Sequence, residues 1–180
     1  MKSVMASIRP KWCMRIWNGT KTCEVRKTKP KLETPFRCYV YASKGKDRLI
    51  EVMKDGAVNY GEVYHGKPIF IKTAEEGGYS LNRQMVIGYF TCDKVVEVTP
   101  STLNEIIESG ELEGFYTGMQ IDDFLKYMGE KCYLWHISNF VGYFKAKPLS
   151  DFASWGAEEG HYMNVPPQSW CYVEDFEHDE

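Results

Sequence analysis

A chain of 180 residues with 43% hydrophobic and 26% charged residues has the length and balance of one globular domain around a single core, which excludes a disordered or collagen-like chain. No apolar run reaches the roughly 18 residues of a membrane-spanning helix, and the opening "MKSVMASIRP" lacks the apolar stretch of a secretory signal, so the expected setting is the cytoplasm, without a membrane partner. The net charge of −3 excludes indiscriminate coating of nucleic acid, yet residues 1–54 hold 14 Lys+Arg against 4 Asp+Glu, a local polarity suited to an anionic ligand such as a phosphate.

In chain order, "SVMASI" alternates as a short strand with Val4, Ala6 and Ile8 on one face. Pro10 opens a helix in which Trp12, Cys13, Ile16 and Trp17 share a side, and Gly19 supplies its left-handed stop. A strand follows over Thr22–Lys27. Pro30 and Pro35 break any sheet in "TKPKLETP", which is a loop. "FRCYVYAS" is the next strand, with Phe36, Cys38, Val40 and Ala42 opposite Arg37, Tyr39, Tyr41 and Ser43. Residues 44–83, rich in Gly and charge, read as an irregular insertion in a single domain spanning residues 1–180. "QMVIGYFTCDKVVEVTP" returns to strand character. "STLNEIIESG" is a helix with Thr102 and Glu105 as a capping box and Gly110 as its stop, and "MQIDDFLKYMG" is a second amphipathic helix. "KCYLWHISNFVGYFKAKP" reads as a long strand or hairpin, "WCYVEDF" as a final strand, and the acidic "EDFEHDE" as a frayed end.

Five or six strands with short helices and Gly/Pro turns predict an α+β fold built on a small closed or nearly closed β-barrel of mixed strands. Neither GxGxxG nor GxxxxGK[ST] occurs, which argues against a doubly wound nucleotide-binding fold. The six cysteines are widely spaced, with no CxxC pair, and read as reduced, mostly buried thiols and not as disulfides or zinc ligands. No metal or cofactor is expected.

The chemistry concentrates in "WNGTKTCEVRK". Strand alternation puts Thr22, Glu24 and Arg26 on one face and Lys21, Cys23, Val25 and Lys27 on the other, so Glu24 and Arg26 are neighbours. Lys21 joins them only if the turn after Gly19 aims it back. One acceptor and two cations would then converge on a ligand bearing a phosphate and a base edge; the alternative is an exposed ion pair worth about 0–1 kcal/mol. Ser43 and Lys44, at a strand end next to the motif strand, are candidate phosphate contacts. Ser138 in "LWHISN" is a candidate wall residue, and His136 there is a candidate general acid or base. Trp170 in "PPQSWCY" and Trp155 in "SWGAEEG" are candidate stacking platforms.

The stretch "SIRPKWCMRIWNGTKTCEVRK" resembles the opening of the ASCH domain family, whose GxKxxExR signature falls on Gly19, Lys21, Glu24 and Arg26. "VYASKGK", "VIGYFTCDKV", "LWHISNF", "KPLSDF" and "PPQSWCYVE" resemble, in order, later segments of ASCH proteins found in phages and prophages. The resemblance implies a PUA-like barrel with the motif residues in a cleft, and a role in binding RNA or a modified nucleotide. It also implies alternatives. One is an enzyme, acetylcytidine amidohydrolase-like or ribonuclease-like, with Lys21 as the chemical residue and Glu24 or His136 as its acid or base partner. The amidohydrolase's catalytic threonine falls here on Glu24, and its acidic partner on the region of Tyr116, Thr117 and Gly118. Another is a phage accessory protein that contacts a host protein through the 44–83 insertion.

Overall fold

The computed structural model describes residues 1–44, 50–52, 58–60, 73–74, 78–79, 84–158 and 161–176. Strand β1 (Lys2–Ile8) runs into helix α1 (Pro10–Trp17), where proline at the first position gives up no intrahelical hydrogen bond. Gly19, at φ +75°, lets the chain reverse into β2 (Cys23–Arg26). Strand β3 (Phe36–Ala42) follows. Within the expected insertion lie two short hairpins, β4 (Ile50–Val52) with β5 (Val58–Tyr60) and β6 (Thr73–Ala74) with β7 (Gly78–Tyr79); the rest of it lies outside the described residues. Then come β8 (Met85–Cys92), β9 (Val95–Val98), α2 (Leu103–Glu108), α3 (Ile121–Met128), β10 (Cys132–His136), β11 (Ser138–Pro148) and β12 (Trp170–Glu174).

The larger strands form two sheets. The five-stranded sheet has the order β11-β8-β3-β1-β12, with β1 and β3 parallel and the other neighbours antiparallel. The three-stranded sheet has the order β2-β10-β9 and is antiparallel throughout. Among the described residues the strands do not pair into one closed circuit, so the expected barrel is realised as two facing sheets in an α+β protein. The reason lies at Ile137. The segment read as one long strand or hairpin splits there, and β10 pairs with β2 and β9 while β11 pairs with β8.

Packing follows the alternation of β3. Phe36, Cys38, Val40 and Ala42 enter the core between the two sheets, together with Ile87 and Phe90 of β8, Cys13, Met14 and Ile16 of α1, and the fully buried Trp135 of β10. Tyr39 and Tyr41, on the opposite face, enter a second core with Leu149, Phe152, Met163 and Val173. A third core seals β2, β9 and β10 against α3 through Cys23, Val25, Leu134, Phe124 and Met128. The central sheet is therefore buried on both faces, which a single alternating strand does not announce.

Two local expectations are corrected. The cap of α2 lies three residues earlier than expected: the Thr102 amide donates to Thr99 Oγ1 at 3.2 Å and the Thr99 amide donates to Thr102 Oγ1 at 3.1 Å, while the Thr102 hydroxyl bonds no amide of the helix that follows it. A threonine at 99 does the same work one helical turn upstream. The acidic C-terminus is pinned through Phe176 and does not fray there: Asp175 Oδ1 accepts from Arg37 Nη1 at 2.9 Å, Tyr39 Oη at 2.6 Å and Ser3 Oγ at 3.1 Å. Residues 177–180 lie outside the described residues. Among the described residues no helix is long and apolar enough to cross a membrane.

All six cysteines are free, and five are buried. Burial pushes every thiol up: Cys132 and Cys171 to about 11, Cys92 to about 12, and Cys13, Cys23 and Cys38 further still. An unfolded thiol ionises near 9.0 while these stay neutral, so their contribution is fully present below that pH and is lost as pH rises toward the folded values. The melting temperature should stay level from neutral pH to about 8 and fall steadily above about 9. A melting series across that range checks this, and a flat profile past the thiol range would contradict it.

Candidate functional site

β2 is buried along its length, with Cys23 and Val25 in the core against α3 and its two charged residues on the other face. Glu24 and Arg26 are each only 7% exposed, and Lys21 only 3%. The turn closed by Gly19 brings Lys21 to the same side: its amide donates to Arg15 O at 2.8 Å, and its Nζ lies 3.2 Å from Glu24 Oε2. Arg26 Nε lies 2.9 Å from Glu24 Oε1 without making a directed hydrogen bond, so that contact is ionic. The three charges form one buried cluster with the carboxylate in the middle. The exposed-pair arrangement does not occur.

Each cation also reaches outward to a backbone segment. Lys21 Nζ donates to Cys23 O at 2.6 Å and to Thr117 O at 3.0 Å, beside its ion pair with Glu24. Thr117 belongs to the stretch between α2 and α3, which is also stitched to the motif by Thr22 and Cys23 amides donating to Tyr116 O at 2.9 and 3.2 Å, by Tyr116 N donating to Thr22 Oγ1 at 2.9 Å, and by Arg15 Nη1 donating to Gly118 O at 2.9 Å. Arg26 Nη1 donates to Ser169 O and Ser169 Oγ, both at 3.1 Å, and Nη2 donates to Ser7 O at 2.9 Å. Ser7 in turn holds the same turn through its own amide to Ser169 O at 2.9 Å and its hydroxyl to Pro167 O at 2.6 Å.

A cleft of about 660 Å³ opens over this cluster. One wall is α1, through Lys11, Trp12 and Arg15; a second runs from Gly118 through Asp123 to Tyr127; a third is Pro166 to Gln168; Ser43, Lys44 and Gln84 close the remaining side. Among the described residues six cationic side chains line it, Arg9, Lys11, Arg15, Lys21, Arg26 and Lys44, against two carboxylates, Glu24 and Asp123. The Trp12 ring sits among three of those cations, with Lys11, Lys21 and Arg15 at 5.1, 5.5 and 5.6 Å from it.

The cleft therefore brings together Lys21, Glu24, Arg26, Ser43 and Lys44 of the residues singled out in the sequence. Four others stand elsewhere. His136 Nδ1 meets Asp93 Oδ1 at 2.6 Å, and its ring lies 4.9 Å from that of Phe115. Ser138 Oγ donates to Thr91 O at 3.0 Å inside the β11-β8 pair. Trp170 packs edge-on to Trp135 and Tyr172, at 5.9 and 5.3 Å, and its Nε1 donates to Thr28 Oγ1 at 3.0 Å. Trp155 is 44% exposed on the loop after Phe152 and does not line the cleft. Arg9, Lys11, Trp12 and Arg15 were missed; the signal available was Lys11 and Arg15 at helical i, i+4 spacing, which places them on one face of α1. Among the described residues no group of three or more His, Cys, Asp or Glu side chains comes together to hold a metal ion.

No protein-family model matches the chain, and no curated protein matches it. Among solved structures it is similar to an ASCH protein from Zymomonas mobilis, at 15% identity and a TM-score of 0.55, covering 96% of this chain and 87% of that one. It is similar also to a tyrosine-to-phenylalanine variant of that protein, ZmASCH, at 14% identity and a TM-score of 0.56, covering 97% and 91%. At such identities the likeness is one of fold, and it extends over nearly the whole chain.

The cluster makes a prediction about stability. Glu24→Gln keeps the shape of the side chain and leaves two buried cations without their anion, which should cost about 3–5 kcal/mol. Lys131→Gln, removing an exposed partner of Glu97, should leave stability nearly unchanged. Urea unfolding of the two variants measures both, and equal small losses would contradict the reading of Glu24 as the centre of a buried cluster.

Proposed function

We propose that this chain is an ASCH protein that binds RNA or a nucleotide in the cleft above Lys21, Glu24 and Arg26, recognising a phosphate and a base. The observation that carries the reading is the charge of the cleft: among the described residues six cations line it against two carboxylates, in a chain whose net charge is −3. A concentration of one sign in a concave, partly buried site focuses the field on an anion. The likeness of fold to ASCH proteins supports the same reading. Trp12 and Tyr127 offer aromatic faces beside the cations, and Gln84, Gln120 and Gln168 offer amides able to pair with a base edge.

Binding is favoured over catalysis by the state of Lys21. A nucleophilic or basic lysine needs an unprotonated nitrogen, whereas this Nζ has three acceptors within 3.2 Å, one of them a carboxylate. His136 is engaged with Asp93 away from the cleft lining, so it is not positioned to assist.

A short fluorescein-labelled single-stranded RNA of mixed sequence should bind with an affinity that falls log-linearly with salt, at a slope of about 0.7 for each phosphate neutralised. Fluorescence anisotropy measures this, and the RNA should be recovered uncut. No anisotropy change, together with no shift in melting temperature from millimolar nucleotides, would overturn the reading. Cleaved RNA would replace binding by catalysis.

A further inference from the structure

Apart from Arg15, which is half-buried and donates to Gly118 O, the cations described in the cleft fall into two groups with different capacities. Lys21 and Arg26 are 3% and 7% exposed and are committed to internal acceptors: Glu24, Cys23 O and Thr117 O for the lysine; Glu24, Ser169 and Ser7 O for the arginine. With Glu24 between them they leave a single net positive charge at the floor. Arg9, Lys11 and Lys44 are exposed and line the mouth. They are gathered by the fold: β1 and β3 run parallel with Ile8 beside Ala42, and Ser43 N donates to Ile8 O at 2.8 Å, so Lys44 leaves its strand at the same end at which Arg9 and Lys11 leave theirs.

We propose that the phosphate subsite of the cleft is this mouth, formed by Arg9, Lys11 and Lys44, and that Lys21 and Arg26 are positioning residues and not phosphate contacts. This rests on the reading that the cleft takes RNA or a nucleotide, and it assigns the ligand an orientation. A phosphate approaching the floor would have to displace Glu24 or a backbone carbonyl from a buried cation, losing charge-assisted bonds already made. At the mouth it displaces only water from solvated side chains. The base then enters the cleft ahead of its phosphate, toward Glu24, whose oxygens retain acceptor capacity beyond the one contact each makes with Lys21 and Arg26.

The test compares salt slopes for the same labelled single-stranded RNA. The triple variant Arg9→Gln, Lys11→Gln, Lys44→Gln should bind more weakly and show a slope lower by at least about 0.7, the contribution of one phosphate neutralised on a single strand. Lys21→Met should melt at a lower temperature yet keep the wild-type slope, because a positioning residue affects the shape of the site and not the count of released ions. The triple variant changes only exposed side chains, so it carries the test even if Lys21→Met does not fold. A triple variant with the wild-type slope would overturn the assignment while leaving RNA binding intact, and so would a Lys21→Met protein whose slope falls by about 0.7. If the wild-type protein shows no salt-dependent binding at all, the proposed function and this assignment fall together.

Discussion

The structure around the cleft depends on the burial of Lys21, Glu24 and Arg26 in one cluster. A buried charge is tolerated only when it is paired and its remaining donors and acceptors are met. Glu24 alone cannot meet them, since one carboxylate serves both cations. The remaining donors go to main-chain carbonyls, and those carbonyls belong to segments far apart in sequence: Thr117 before α3, Ser169 before β12, and Ser7 at the end of β1. Satisfying three charges thus fixes three pieces of backbone. Two of them form walls of the cleft, so the geometry of the pocket follows from an electrostatic requirement in β2.

The same requirement separates roles among the basic residues. Those placed deepest are consumed in holding the walls, and those left at the mouth keep their charge available to solvent and ligand. Trp12 links the two groups, because its ring is within 5.6 Å of buried Lys21, exposed Lys11 and Arg15, the last of which ties α1 to Gly118. A site organised this way presents a cationic entrance above a floor that is polar but nearly balanced. That is the pattern expected for a ligand with an anionic end and a neutral, hydrogen-bonding end.

Much of the frame was legible from local pattern. The strand–helix–strand opening followed from the alternation of Val4, Ala6 and Ile8, Pro10 at the helix start and Gly19 at its stop, and the shared face of Glu24 and Arg26 followed from period two alone. What was not legible is which partner a face meets. Alternation says that Trp135 and His136 point to opposite sides, but not that Trp135 fills the core between two sheets while His136 turns to Asp93. Trp170 reads as a stacking platform because tryptophan is rich in exposed π surface when free. Its neighbours in space, Trp135 and Tyr172, meet it in T-shaped contacts, and a sequence shows only one of them nearby. The cations of α1 were not legible for a related reason: the motif lies on β2, whereas the cleft forms where β2 meets α1, whose Lys11 and Arg15 line it together with Arg9 and Lys44.

The central claim is that Glu24 couples the two walls through its paired cations. Amide hydrogen exchange of Glu24→Gln against the wild-type protein tests it most directly. The Thr22 and Cys23 amides, bonded to Tyr116 O, report one wall, and the Ser7 amide, bonded to Ser169 O, reports the other. The account predicts that protection falls at both reporters together while the amides of the β3-β8 pair keep theirs. Loss at one wall alone, or protection unchanged at both, would contradict it.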